Sequence, residues 1–144
     1  MLGVTHLDPN FFHQQLQFTR TFTKKLNEQL KKAGIFHSQW LIVFYLKQFE
    51  TATLVEISNY LNVEKPTITR TVHRLEEQEL IKKIPSNDKR ERRIMLTEKG
   101  IKVFEEAKQV VDEFERKLLE DLSSQDLNAT ENTIKHLIER LQEG

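Results

Sequence analysis

The chain has 144 residues, with 22 basic and 22 acidic side chains, five histidines, no cysteine and 38% apolar residues, enough for one domain whose modest core favours added burial by pairing. With no cysteine, disulfides, thiolate-ligated metals and thiol redox chemistry are excluded. No apolar run reaches the roughly eighteen residues of a membrane span, and no basic-then-apolar leader is present, so the expectation is a cytoplasmic protein without membrane association.

In chain order, Asp8 and Pro9 form a cap and first-turn pair opening a helix that runs to about Ala33, where Gly34 stops it. Phe18, Phe22, Leu26 and Leu30 recur every fourth residue along it, preceded by Phe11, Phe12 and Leu16. From Ser38 to about Gln48 the chain is apolar nearly all round, the pattern of a buried helix, and it carries the only Trp, Trp40, and Tyr45 beside Phe36 and His37. Thr53-Leu54-Val55-Glu56 reads as a capping box that starts a short helix with Leu54, Ile57 and Leu61 at apolar spacing. A turn over Asn62 to Glu64 leads to a second helix from Lys65 to Gln78, with Pro66 in its first turn. Two short helices around a tight turn make a helix-turn-helix, although the glycine usual in that turn is missing.

On the Lys65–Gln78 helix, Ile68, Val72 and Leu75 share one stripe. The opposite face presents Arg70, His73 and Arg74 with Thr67 and Thr69 on its shoulders, and Lys65 at the start. Such donors suit a helix whose N-terminal half enters a DNA major groove, where Arg reads guanine edges and Thr offers a hydroxyl or a methyl contact. Any solvated surface helix also shows a polar side, and that alternative stays open on the helix alone.

Leu80–Ile84 and Arg92–Leu96 read as the strands of a hairpin around Pro85-Ser86-Asn87-Asp88. Six basic and two acidic residues lie between Lys82 and Arg93, which gives the hairpin a reason to approach phosphate. A lysine-rich edge that deters strand pairing is the competing explanation. Thr97 caps a helix through about Leu122, and Ser123 or Ser124 starts another carrying Leu127, Ile134, Leu137, Ile138 and Leu141. Charge follows this order: residues 1 to 62 hold six basic and four acidic side chains, 63 to 100 ten and seven, and 101 to 144 six and eleven. Basic reading elements and an acidic C-terminal segment would focus the field where DNA binds.

The run from Asp88 to Thr97, read as D-x-R-x-x-x-I-x-L-T, resembles the wing signature of MarR-type (multiple antibiotic resistance regulator) transcription factors. Glu98-Lys99-Gly100 continues the resemblance, as do Thr67-Ile68-Thr69-Arg70 and Arg74-Leu75-Glu76. Members often carry Ser where Glu64 stands and Gly where Glu79 stands, departures that touch the helix cap and the turn into the wing. The resemblance implies a mainly α fold with a small β-hairpin wing: a winged helix-turn-helix over 35–97, flanked by dimerisation helices over 8–34 and 98–144, in a single domain over 1–144. Within it the helix-turn-helix falls at about 53–78 and the wing at about 80–97.

By the same resemblance the protein is a regulator that binds double-stranded DNA as a homodimer on a palindromic operator, with half-sites about 10 base pairs apart, and acts as a ligand-responsive repressor. Lys65, Thr67, Thr69, Arg70, His73 and Arg74 would form the recognition helix. Arg90 would enter the minor groove, where narrow width concentrates negative potential. Lys89 and Arg92 would contact phosphate, and Asp88 would hold the hairpin's shape by pairing with a wing arginine. The lack of cysteine removes the peroxide-sensing mechanism of one branch of the family. A possible small-molecule effector would sit where the dimer helices meet the reading domain, near the aromatic cluster; ordinary core packing explains the same cluster, and no effector residues are assigned.

Nothing points to catalysis: four glycines are scattered and no nucleophile has a recognisable setting. His6, His13, His37, His73 and His136 form no close pair or H-E-x-x-H motif, so neither a metal nor another cofactor is expected. The remaining alternative is a non-catalytic winged-helix interaction or assembly module that never reads bases, since fold does not fix function.

Overall fold

The computed structural model describes residues 10–85 and 92–144, so the Asp8–Pro9 cap lies outside the described residues. Helix α1 (Phe11–Leu30) continues as a 3₁₀ turn over Lys31–Ala33. It ends at Gly34, whose φ of 75° is the left-handed conformation expected of a glycine stop. Its C-terminal part buries Leu26 and Leu30, while Phe12, Leu16 and Phe18 stay exposed. Helix α2 (His37–Phe49) is buried as its uniform apolarity requires, with Ile42, Val43 and Leu46 almost fully enclosed. Two amides at its start are satisfied by side chains: Phe36 N–H donates to Gln39 Oε1 (3.0 Å) and His37 N–H to Asn27 Oδ1 of α1 (2.9 Å).

Helix α3 (Leu54–Leu61) opens with the expected capping box: Glu56 N–H donates to Thr53 Oγ1 (3.1 Å) and Thr53 N–H to Glu56 Oε1 (3.0 Å). The missing turn glycine is replaced by Asn62, which takes the left-handed conformation at φ 54°. Ser58 Oγ donates to Val63 O (2.6 Å) and closes the turn. Helix α4 (Lys65–Glu77) follows, burying Ile68, Val72 and Leu75.

The hairpin is part of a larger sheet than the sequence implied. Strands β2 (Ile81–Ile84) and β3 (Arg93–Leu96) pair antiparallel, and β3 also pairs with β1 (Thr51–Thr53), giving the order β1-β3-β2. Thr51–Thr53 is too short to show a period of two, so local pattern could not announce it. Leu80 and Arg92 lie just outside the strands. Ile94 and Leu96 point into the core and Ala52, opposite Ile94, is fully buried.

Helix α5 (Glu98–Leu119) is joined to the wing through the Leu96-Thr97-Glu98-Lys99-Gly100 segment. Thr97 Oγ1 donates to Glu79 O (2.6 Å) and accepts from Gly100 N–H (3.0 Å), and Lys99 Nζ donates to Gln78 O (3.1 Å). Gly100 packs so tightly that a Cβ there would overlap the Leu80 carbonyl oxygen. Phe104, Ala107 and Val111 complete the buried face of α5. Trp40, Phe44 and Phe104 form a three-ring cluster, with Trp40 stacked on Phe104 at 5.5 Å, and Trp40 and Tyr45 are buried while Phe36 and Phe49 are exposed. Helix α6 (Ser124–Glu143) is capped by Ser123 Oγ, which accepts from Asp126 N–H (3.0 Å). The chain divides into two compact units, residues 1–112 and 113–144. The fold is a mainly α winged helix-turn-helix, and no helix among the described residues is long and apolar enough to cross a membrane.

Candidate nucleic-acid interface

Helix α4 is held from behind by its apolar stripe, which leaves Lys65, Thr69, Arg70, His73 and Arg74 exposed and Thr67 half-buried. Helical geometry splits these side chains into two rows. Thr67, Arg70 and Arg74 face α1 and the start of α2, where with Lys24, Asn27 and His37 they line an open cleft of about 440 Å³. Arg70 Nη2 donates to Thr67 Oγ1 (3.3 Å), which steadies the guanidinium along the row. Thr69 and His73 turn the other way and share a smaller cavity, about 140 Å³, with Lys83 of β2, Arg92 and Ile94. Lys83 and Arg92 of the hairpin therefore border the Thr69–His73 row, while Arg70 and Arg74 line the cleft on the other side of α4.

The pairing of these groups decides which charges face outward. His73 Nε2 lies 2.7 Å from Glu77 Oε1 and Lys83 Nζ 3.9 Å from Glu76 Oε2. Both are exposed pairs that solvent screens strongly. Thr69 Oγ1 donates to Lys65 O (2.9 Å), leaving its methyl available for contact. Of the wing residues expected to touch DNA, Arg92 is described and exposed. Asp88, Lys89 and Arg90 lie outside the described residues.

The Glu64 position now has a physical meaning. As N-cap of α4 it makes no side-chain cap hydrogen bond; Pro66 has no N–H to cap, and Thr67 N–H donates to the Glu64 carbonyl (3.1 Å). Glu79 adopts a left-handed φ of 63°, the backbone conformation that favours glycine. Gln78, at the end of α4, is a junction: Gln39 Nε2 donates to its Oε1 (3.1 Å) while Lys99 of α5 takes its carbonyl. Gln39 is the buried polar side chain among the core residues, 3% exposed, and it ties α2 to the C-terminal end of α4.

Sequence reasoning did not single out Lys24, Asn27 or Gln39, nor the pairing of Glu56 with Arg93. Glu56 carried the one available signal, its place in the capping box. The others depend on segments brought together from as far as 42 residues apart, for which local periodicity holds no information.

A family model described as the MarR family matches residues 35–91. The chain is 35% identical over 137 residues to the uncharacterised HTH-type transcriptional regulator YwoH of Bacillus subtilis, covering 95% of this chain and 100% of that one. Among solved structures it is similar to Staphylococcus aureus MarR in complex with salicylate and kanamycin, with a TM-score of 0.83 and 29% identity over 93% of this chain and 91% of that one. Its fold also matches a mutant MarR of Escherichia coli complexed with operator DNA, with a TM-score of 0.82 and 23% identity over 90% and 94% of the two chains.

Proposed function

The chain belongs to the MarR family, and from that premise we propose that it is a transcriptional regulator that binds double-stranded DNA sequence-specifically, as a homodimer on a two-fold-symmetric operator. The observation that carries this reading is the exposed polar face of α4: Arg70 and Arg74 stand on one row, and Thr69 and His73 on the adjacent row border Lys83 and Arg92 of the hairpin. Such an arrangement can place Arg and Thr against base edges while flanking cations engage phosphate. A pair of short readers related by two-fold symmetry gains the specificity that one lacks. In this reading the whole chain serves as one MarR-type domain, represses transcription by occupying its operator, and performs no catalytic step.

The cleft beside Arg70 supplies the regulatory half of the proposal. Its rim of Lys24, Arg70 and Arg74 beside Phe36 and His37 suits a small aromatic anion, and the S. aureus relative was solved with salicylate. An occupant there would engage the same arginines as the operator and shift the recognition helices, releasing DNA.

The test is selection from a random double-stranded library, read by sequencing, followed by Arg70→Ala. A symmetric motif with half-sites about one turn apart is expected, with Arg70→Ala costing about 1 to 3 kcal/mol on that motif and relaxing base choice. Arg92→Ala should weaken all sequences alike and flatten the salt dependence. Sequence-blind binding by the wild-type chain would move the assignment to an interaction or assembly module. Salicylate added to the complex should release the operator; indifference to it and to a panel of aromatic acids would remove the effector half alone.

A further inference from the structure

Arg93 stands where β3 begins, paired in register with Thr53 on one side and Ile84 on the other. Ile94 and Leu96 turn inward, so alternation puts the Arg93 side chain on the outer face of the sheet. Its Nε donates to Thr51 Oγ1 (3.2 Å), and its Nη2 lies 3.2 Å from Glu56 Oε1. That same carboxylate oxygen accepts Thr53 N–H at 3.0 Å and so closes the N-terminal cap of α3. One oxygen thus joins the base of the hairpin to the helix that carries α4. The Thr53 N–H holds the Glu56 carboxyl below the usual carboxylate range; burial opposes it, and the Thr53 hydroxyl and the Arg93 guanidinium add smaller lowering effects.

We propose that Arg93 and Glu56 form a positioning link that sets the hairpin relative to the recognition helix, so that wing and helix engage one DNA duplex together. The inference rests on the DNA-reading function proposed above. The β1–β3 ladder pairs the strands over three residues. The Arg93 fork adds side-chain contacts to Thr51 on β1 and Glu56 on α3, tying the base of the hairpin to the helix that precedes α4. With side chains 31% and 45% exposed, the pair adds little to global stability. Its role is geometric.

The sign of one substitution separates this role from simple charge. Glu56 is an anion in a DNA-binding unit, so neutralising it should tighten binding if only electrostatics mattered. Glu56→Gln keeps the capping box, which Gln also forms, but loses the charge that holds Arg93. The experiment measures operator affinity by fluorescence anisotropy at two salt concentrations, together with library selection, for full-length wild type, Glu56→Gln, Arg93→Gln, Arg93→Lys and the double Gln variant. Circular dichroism checks that each is folded.

We expect Glu56→Gln to bind about three- to tenfold more weakly and the double variant to be no weaker than Arg93→Gln, because both remove one link. Arg93→Lys should recover part of the loss. Preference at base pairs flanking the half-site core should relax in Glu56→Gln while the core preference read by α4 persists. Equal or tighter binding by Glu56→Gln, or a loss that leaves flank preference intact, overturns the link while the DNA-reading function stands. A wild-type chain that selects no motif overturns both.

Discussion

Residues 35–111 and residues 112–144 use apolar side chains in opposite ways. In the first stretch the stripes of α2, α4 and the start of α5 close on each other and on the sheet, and Leu46, Ile57, Leu75 and Ile94 are at most 2% exposed. From Asp112 to Gly144 no residue is buried, although α6 repeats Leu127, Ile134, Leu137, Ile138 and Leu141 at helical spacing. Leu141 is 80% exposed and Ile138 48%. The N-terminal part of α1 behaves like the tail, with Phe12 65% and Phe18 62% exposed. An amphipathic pattern therefore marks a face that needs cover without saying whether the cover lies in the same chain. Residues 35–111 supply their own cover, while apolar residues of the terminal helices such as Phe12, Phe18 and Leu141 remain exposed.

The largest expected effect breaks the module. Gly100→Val forces a branched side chain against the Leu80 carbonyl, where backbone rather than a flexible side chain must yield. A loss of about 3 kcal/mol or more in urea unfolding is expected, whereas a similar change at Gly144, where a Cβ meets nothing nearer than 3.8 Å, should be silent. Next, Ile138→Arg with Leu141→Arg tests the terminal helices. If they are covered by a second copy, the pair should weaken association by about 2 to 4 kcal/mol with the helical circular dichroism retained. Sedimentation that leaves the assembly unchanged would show that these residues face solvent.

Smaller effects sharpen the contrast within the module. Glu64→Ser offers a side-chain cap that α4 lacks and should raise stability by about 0.5 to 1 kcal/mol; an unchanged unfolding midpoint would mean that the bond from Thr67 N–H to the residue-64 carbonyl already satisfies that amide. The smallest effect is titration of His37. Burial holds its imidazole below the ordinary value of 6.5, so the folded state binds its proton less readily than the unfolded chain. That contribution is present above about pH 6.5 and is lost as pH falls from there toward the depressed folded value. Urea midpoints at pH 7.5 and 5.5 should differ less in His37→Gln than in wild type.

Much of this was legible beforehand because it is local. The 3.6-residue stripes located α1, α4 and α6, uniform apolarity located α2, the Thr97 cap and the Thr53–Glu56 box located the starts of α5 and α3, and Gly34 located the stop of α1. The wing signature also gained a structural reason: Thr97 bonds both to the turn at Glu79 and to the amide of Gly100, and Gly100 admits the Leu80 carbonyl. The two departures noted from similar sequences fell on an unfilled cap at Glu64 and a left-handed residue at Glu79.

The sequence by itself determined the helices, the caps at Thr53 and Ser123, the hairpin's basic character and the exposed polar face of α4, since each depends on residues within a turn or two of one another. Tertiary structure alone decided that Thr51–Thr53 becomes a strand, that the face of α4 splits between a cleft against α1 and a cavity against the hairpin, and that Arg93 meets Glu56. Those outcomes arise from backbone pairing and side-chain contact across long stretches of chain, where the free energy depends on three-dimensional neighbours rather than on sequence period.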